Sequence, residues 1–61
     1  TLIRLANRLA ERVVRSRQKM ELEPMNPYER RIIHSALQDY PGVITYSEGE
    51  EPNRKVIIAC K

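Results

Sequence analysis

The sequence predicts an α+β domain in which two helices pack on one side of a small three-stranded, mostly antiparallel sheet. Three observations carry that expectation. Apolar residues near the start recur at helical spacing. An Asn-Pro-Tyr-Glu stretch in the middle reads as the beginning of a second helix. Two runs rich in β-branched residues near the end flank a polar loop.

Leu2, Ala6, Leu9 and Val13 fall at steps of four, three and four, with Ile3, Leu5 and Ala10 widening the stripe, which is one apolar face of a helix of about four turns. Arg4, Arg8, Arg12 and Arg15 follow the same steps on another face, either as a solvated surface or as an electrostatic footprint. From Lys19 to Met25, Met20 and Leu22 alternate with Lys19, Glu21 and Glu23, a short strand ended by Pro24; an extension of the first helix is the competing reading. Asn26 is a good N-cap, Pro27 suits the first helical position, and Glu29 stands three after the cap, the arrangement of a capping box. Ile33, Ala36, Leu37 and Tyr40 supply the apolar face of this second helix, and Pro41-Gly42 stops it. Val43–Ser47 and Lys55–Cys60 then read as two strands of a hairpin, joined by the polar loop from Glu48 to Arg54. In the last strand Val56, Ile58 and Cys60 share one face while Ile57 and Ala59 share the other, so it belongs in the middle of the sheet or beneath another domain.

Sixty-one residues support one core, so residues 1–61 are expected to form a single domain. The start at Thr1 is neither a secretory signal nor an initiator Met, which suggests a fragment of a longer protein. A single Cys forms no internal disulfide and, with one His, offers no metal cluster; no cofactor is expected. No apolar run approaches the roughly 20 residues of a membrane span. A small cytoplasmic binding module is what these bounds leave. The net charge of +3 is unevenly placed: Thr1–Lys19 carries six basic residues against Glu11 alone, while the rest of the chain is slightly acidic. A polyanion should therefore feel the first segment most strongly.

Arg30 and His34 are four apart in the second helix, Gln38 continues their line, and Arg31 lies beside it. Ile33 and Leu37 point elsewhere, so these polar groups should face solvent or a ligand. Arginine offers a planar fork for phosphate or a flat cation for a base, and imidazole adds a hydrogen bond and a stacking surface. The plainer reading has Arg30 paired with a nearby carboxylate and His34 at the surface.

The blocks Met25-Asn26-Pro27-Tyr28-Glu29-Arg30-Arg31-Ile32-Ile33-His34 and Tyr46-Ser47-Glu48-Gly49-Glu50-Glu51-Pro52-Asn53-Arg54, in this order, closely resemble the domain family named for its Arg-x-x-x-His signature. The resemblance runs from Met25 to about Ile58 and is strongest to the members at the C-terminus of Jag-type bacterial RNA-binding proteins. It implies two helices on a three-stranded sheet and binding of single-stranded nucleic acid, RNA in preference to DNA. It places Arg30 and His34 at the signature positions, with neighbouring basic residues assisting; Arg31 and Tyr28 lie beside them, and the helix-one arginines, Arg4 and Arg8 among them, should add long-range attraction. It also implies a KH domain preceding this one on the same full-length chain and sharing the RNA.

Tyr28, Tyr40 and Tyr46 are the only aromatic residues. Single-strand binders commonly stack bases on aromatic rings for about 1–3 kcal/mol per base. Tyr28, at the helix start near Arg31, is the best placed for this; Tyr40 reads as core, and Tyr46 as either. So few rings argue for weak binding led by the backbone of the ligand. The acidic loop Glu48–Glu51 should repel phosphate and reads as a solvated hairpin tip. Cys60 reads as a small strand residue, and a lone His without a metal set or activated nucleophile gives no sign of catalysis. The alternative to nucleic-acid binding is a protein-interaction module, or a weak homo-oligomer, using the apolar last strand and the acidic loop.

Overall fold

Helix α1 runs from Leu2 to Ser16 in the computed structural model, which describes all 61 residues. The Thr1 hydroxyl accepts from the Arg4 amide at its start, and Arg17 closes its end in the left-handed conformation, donating its N–H to the Val13 carbonyl at 2.7 Å. α1 buries Ala6, Ala10 and Val13, with Leu2 and Leu9 packed at the margin. The apolar stripe is narrower than the sequence suggests. Ile3 and Leu5 flank it and stay open to solvent, because the small side chains at 6 and 10 set the line along which α1 settles on the core.

Strand β1 is only Met20–Glu21, and the helix has ended well before it, so the competing reading of a longer first helix is excluded. The extended path nevertheless continues: the Leu22 amide donates to the Val56 carbonyl at 2.9 Å and the Met25 amide to the Arg54 carbonyl at 3.2 Å. Met20 and Leu22 turn inward and Glu21 outward, as the alternation requires.

Helix α2, Pro27–Leu37, opens on the capping box that the sequence spells out. The Glu29 amide donates to Asn26 Oδ1 at 2.8 Å, and the Asn26 amide donates to Glu29 Oε1 at 3.2 Å. Asn26→Ala removes the first of these bonds and loosens the second, and is expected to cost about 1 kcal/mol, or roughly 4–8 °C in a thermal melt followed by circular dichroism. The helix stops at Leu37, earlier than expected. Tyr40 therefore lies beyond it, still packed half-buried against the core, with its amide donating to the Leu37 carbonyl. Gly42 follows with φ +88°, and a Cβ there would meet the Val14 side chain at 3.3 Å.

Strands β2, Val43–Glu48, and β3, Lys55–Cys60, form the hairpin, in register from Val43 opposite Cys60 to Glu48 opposite Lys55. β1 pairs on the other side of β3, giving the order β1-β3-β2 with every pairing antiparallel. The two-faced apolar strand is thus the central one. Val56 and Ile58 face the helices and join Ile33, Leu37, Val43, Leu22 and the α1 residues in one core. Cys60 packs at its edge, its thiol donating to the Val13 carbonyl at 3.3 Å. Ile57 faces away from the helices yet is only 1% exposed, held in the ladder between Tyr46 of β2 and Glu21 of β1.

Candidate nucleic-acid interface

Three kinds of position divide α2. Ile33 and Leu37 point into the core; Tyr28, Arg31, Ser35 and Gln38 form its open ridge; Arg30 and His34 lie on the shoulder between core and ridge, facing the hairpin. The ridge follows directly from residue types at helical spacing. The shoulder does not, because its environment is made by a segment that folds back from further along the chain.

Arg30 corrects the expectation of an exposed guanidinium: it is 8% exposed. Its two terminal nitrogens hold Glu51 as a fork, Nη1 donating to Oε1 at 3.0 Å and Nη2 to Oε2 at 2.7 Å. Nη1 also donates to the carbonyl of Met25 at 2.6 Å and lies 3.4 Å from that of Arg54. The side chain thereby ties the approach to α2 to the hairpin loop. This charge-assisted pairing holds the Glu51 carboxyl below its usual range and raises the guanidinium pKa still further. Glu51 does lie at an exposed hairpin tip, its side chain about half open to solvent, and is at the same time the anion that Arg30 binds. Arg54 fastens the same loop from its other end, Nη1 donating to the Gly49 carbonyl at 2.5 Å.

His34 is half-buried, and both ring nitrogens are engaged. Nδ1 lies 2.7 Å from Thr45 Oγ1 and Nε2 lies 3.0 Å from Ser47 Oγ. Thr45 and Ser47 share the inward face of β2, so alternate hydroxyls along one strand meet the two edges of one imidazole. A neutral ring donates through one nitrogen and accepts through the other, and hydroxyls rotate to satisfy both. Burial lowers the His34 pKa, and the Arg30 charge lowers it further. The unfolded chain therefore binds a proton in a pH range where the folded chain does not. Stability due to the neutral ring is complete above the ordinary imidazole value of 6.5 and is lost as pH falls below it toward the lower folded value. We expect the thermal midpoint to fall between about pH 7.5 and about pH 5.5, and His34→Gln to flatten that dependence. Glu21 and Glu51, whose lowered values act below their ordinary 4.5, contribute to a separate loss in more acidic solution.

Two open depressions border the ridge. One, of about 400 Å³, lies beside His34, Gln38 and Ser35, with Thr45 and Ile44 of β2 and Lys61 completing it. The other, of about 440 Å³, is lined by Tyr28, Arg31, Ile32, Ser35 and Ala36 of α2 and by Ile3 of α1. Tyr28 is 73% exposed. The structure thus brings Tyr28 together with Arg31, and His34 together with Gln38, with Ser35 between the two sets. Arg30 lies beneath them. Arg4 and Arg8 are exposed but border a different depression on α1, with Thr1 and Leu5. Ser35, Thr45, Ser47 and Lys61 were not singled out from sequence. The alternation of Thr45 and Ser47 was a usable signal, whereas Lys61 reaches the site because its amide donates to the Gly42 carbonyl beyond the end of α2, a contact across the fold.

No helix is long and apolar enough to cross a membrane. In sequence, the R-3-H domain family matches residues 1–59. The chain is 57% identical over its whole length to the RNA-binding protein KhpB of Clostridium symbiosum, of which it covers 28%. It is 43% identical to the protein of the same name from Bacillus subtilis, again over all of this chain and 30% of the relative. With that of Lactiplantibacillus plantarum the identity is 39%, over all of this chain and 19% of the relative. The chain thus spans less than a third of the length of these relatives. The match extends through α1, further toward the N-terminus than the signature blocks themselves. With the Arg30 and His34 signature, the capping box and the family match over nearly every residue, the chain belongs to the R-3-H domain family.

Proposed function

We propose that the domain binds single-stranded RNA through the outer ridge of α2, as one module of a longer Jag-like RNA-binding protein. The observation that carries this reading is the ridge itself: Tyr28, Arg31 and Gln38 lie open along one face beside His34, and no Asp or Glu lines either bordering depression. An exposed phenol stacks on a base, a guanidinium meets phosphate or stacks, and a primary amide reads a base edge. The names of the relatives, which describe RNA-binding proteins, support the ligand class. The family and those names point to binding rather than to catalysis. Arg30 and His34 act by position. Arg30 anchors the hairpin loop, and His34, oriented by Thr45 and Ser47, shapes the edge of the site. The arginines of α1, Arg4 and Arg8 among them, contribute attraction at a distance. The cytoplasm is the proposed location, and a KH domain on the same chain the proposed neighbour on the RNA.

Fluorescence anisotropy against a short single-stranded RNA and the matching duplex tests this reading. We expect preference for the single strand and a shallow salt dependence. Each phosphate contact contributes roughly −0.7 to the log–log slope, so two to four contacts give about −1.5 to −3. A flat response excludes phosphate from the interface, and equal binding of the duplex excludes unstacked bases as the determinant.

A second reading is favoured by one specific observation. On the face of the sheet away from the helices, Ile44 and Tyr46 are exposed while Ile57 beside them is buried, an apolar surface suited to a protein contact. A mass that rises with concentration in the absence of RNA supports self-association through that face, and a strict monomer removes it.

A further inference from the structure

We propose that the α2 ridge carries two adjacent nucleotide subsites, so that the unit recognised is a dinucleotide step: an apolar subsite that takes a nucleobase against Tyr28, Ile3 and Ile32, and a polar subsite beside His34 that takes the neighbouring nucleotide. This deepens the single-strand reading above and rests on it.

The two depressions differ in chemistry and share a wall. Ile3, Ile32 and Ala36 make the first one apolar, with the Tyr28 ring and the Arg31 guanidinium at its border. The second is lined by the polar residues Gln38, Ser35, Thr45 and Lys61 beside His34. Ser35 borders both, so the step from one to the other is a single residue on the helix surface. A cup with an apolar floor, an arginine at its border and no carboxylate suits a flat apolar ring carried on an anionic chain. An apolar protein side chain would fill the cup but leave Arg31 without a counter-charge. Ile3 also belongs to the segment Thr1–Lys19, whose basic residues far outnumber its one acid. The Tyr28 ring, largely exposed, is available for stacking rather than committed to the core.

The polar subsite has a limited vocabulary. Both nitrogens of His34 are already satisfied by Thr45 and Ser47, so the ring offers a ligand its face and not its edge. Hydrogen bonding to the second nucleotide then falls to Gln38, Ser35 and Lys61. Gln38 is the group among these that presents a donor and an acceptor together in one plane, as base-edge recognition requires.

The test is a titration of the 61-residue chain, followed by ¹⁵N–¹H correlation spectra, with uridine 5′-monophosphate, UpU, and uridylates of three, four and eight residues. UpU is expected to bind at least about tenfold tighter than the monophosphate although it carries less negative charge, a gain set by the stacking of one further base. It should shift amides around Ile32 and Ala36 and also around Gln38 and Thr45, with only small gains in affinity from three residues upward. Ile3→Gln combined with Tyr28→Ala, both at exposed positions, should reduce UpU to the affinity of the monophosphate while the spectrum stays dispersed. The two-subsite proposal is overturned if the eight-residue uridylate binds while UpU is no tighter than the monophosphate, or shifts one depression only. Equal increments at the third and fourth residues overturn it in favour of a longer groove. No shift with the eight-residue strand refutes the RNA reading itself.

Discussion

Arg30→Ala is expected to lower the thermal midpoint by on the order of 10 °C, the largest loss from a single polar side chain in this domain. The guanidinium, itself almost closed to water, binds the Glu51 carboxylate through two nitrogens and the Met25 carbonyl through one of them, while the Glu51 side chain stays about half open to solvent. Truncation leaves the Met25 carbonyl and the carboxylate without their donor, and it opens a gap between the start of α2 and the hairpin loop. Because the domain is small, with about 60% of its chain surface buried on folding, such a loss is a large fraction of its stability. Arg30→Lys should recover little, since one ammonium cannot make two parallel bonds to a carboxylate while also reaching a backbone carbonyl. Glu51→Gln should lie between the two, keeping one acceptor for the fork. The discriminating measurement is RNA affinity at a temperature where Arg30→Lys is still folded. Affinity near that of the unaltered chain confirms that the signature arginine supports the site from beneath. A collapse in affinity with the fold intact shows instead that it contacts the ligand.

Tyr28→Ala with Arg31→Ala is the complementary experiment, with the largest expected effect on binding. The tyrosine alone is expected to contribute about 1–3 kcal/mol, roughly 5- to 150-fold in affinity, if one base stacks on it. Loss of one phosphate contact at Arg31 should also make the salt slope shallower by about 0.7. Both residues are exposed, so the thermal midpoint should move little. Unchanged RNA affinity in this variant, with the fold intact, removes the α2 ridge from the interface and turns attention to α1 or to the outer face of the sheet.

The contrast between these two variants shows where the sequence was informative. Elements whose causes are local were legible: the capping box at Asn26 and Glu29, the apolar spacing of Ala6 and Val13, and the alternation that makes β3 two-faced. Tyr28, Arg31 and Gln38 were legible as a ridge for the same reason, helical spacing being enough to align them. Arg30 was not. On a helical projection it lies between Ile33 and His34, and which of the two environments it joins depends on whether the distant hairpin loop descends to cover it. The loop does so because Glu51 supplies the matching charge, and that pairing has no periodic signature. The partners of His34 were hidden for the same reason. Its engagement with Thr45 and Ser47 is a cross-fold contact between a helix shoulder and a strand, visible only once the register of β2 is known. The shortness of β1 follows from Pro24 and from pairing on one side alone, where a two-residue ladder followed by isolated hydrogen bonds satisfies the backbone.

The position of β3 has a consequence for how this domain comes into being. The central strand of the sheet follows both of its neighbours in the chain, since β1 and β2 meet only through residues 55–60. Synthesis adds roughly 5–20 residues per second from the N-terminus, so both helices and both edge strands are complete before the element that joins them exists. Until Lys55–Cys60 has emerged, Ala6, Val13, Ile33 and Leu37 have no sheet to cover them. Short helices of 15 and 11 residues draw most of their stability from such packing, so the last strand to be made is the one that lets the earlier elements hold together.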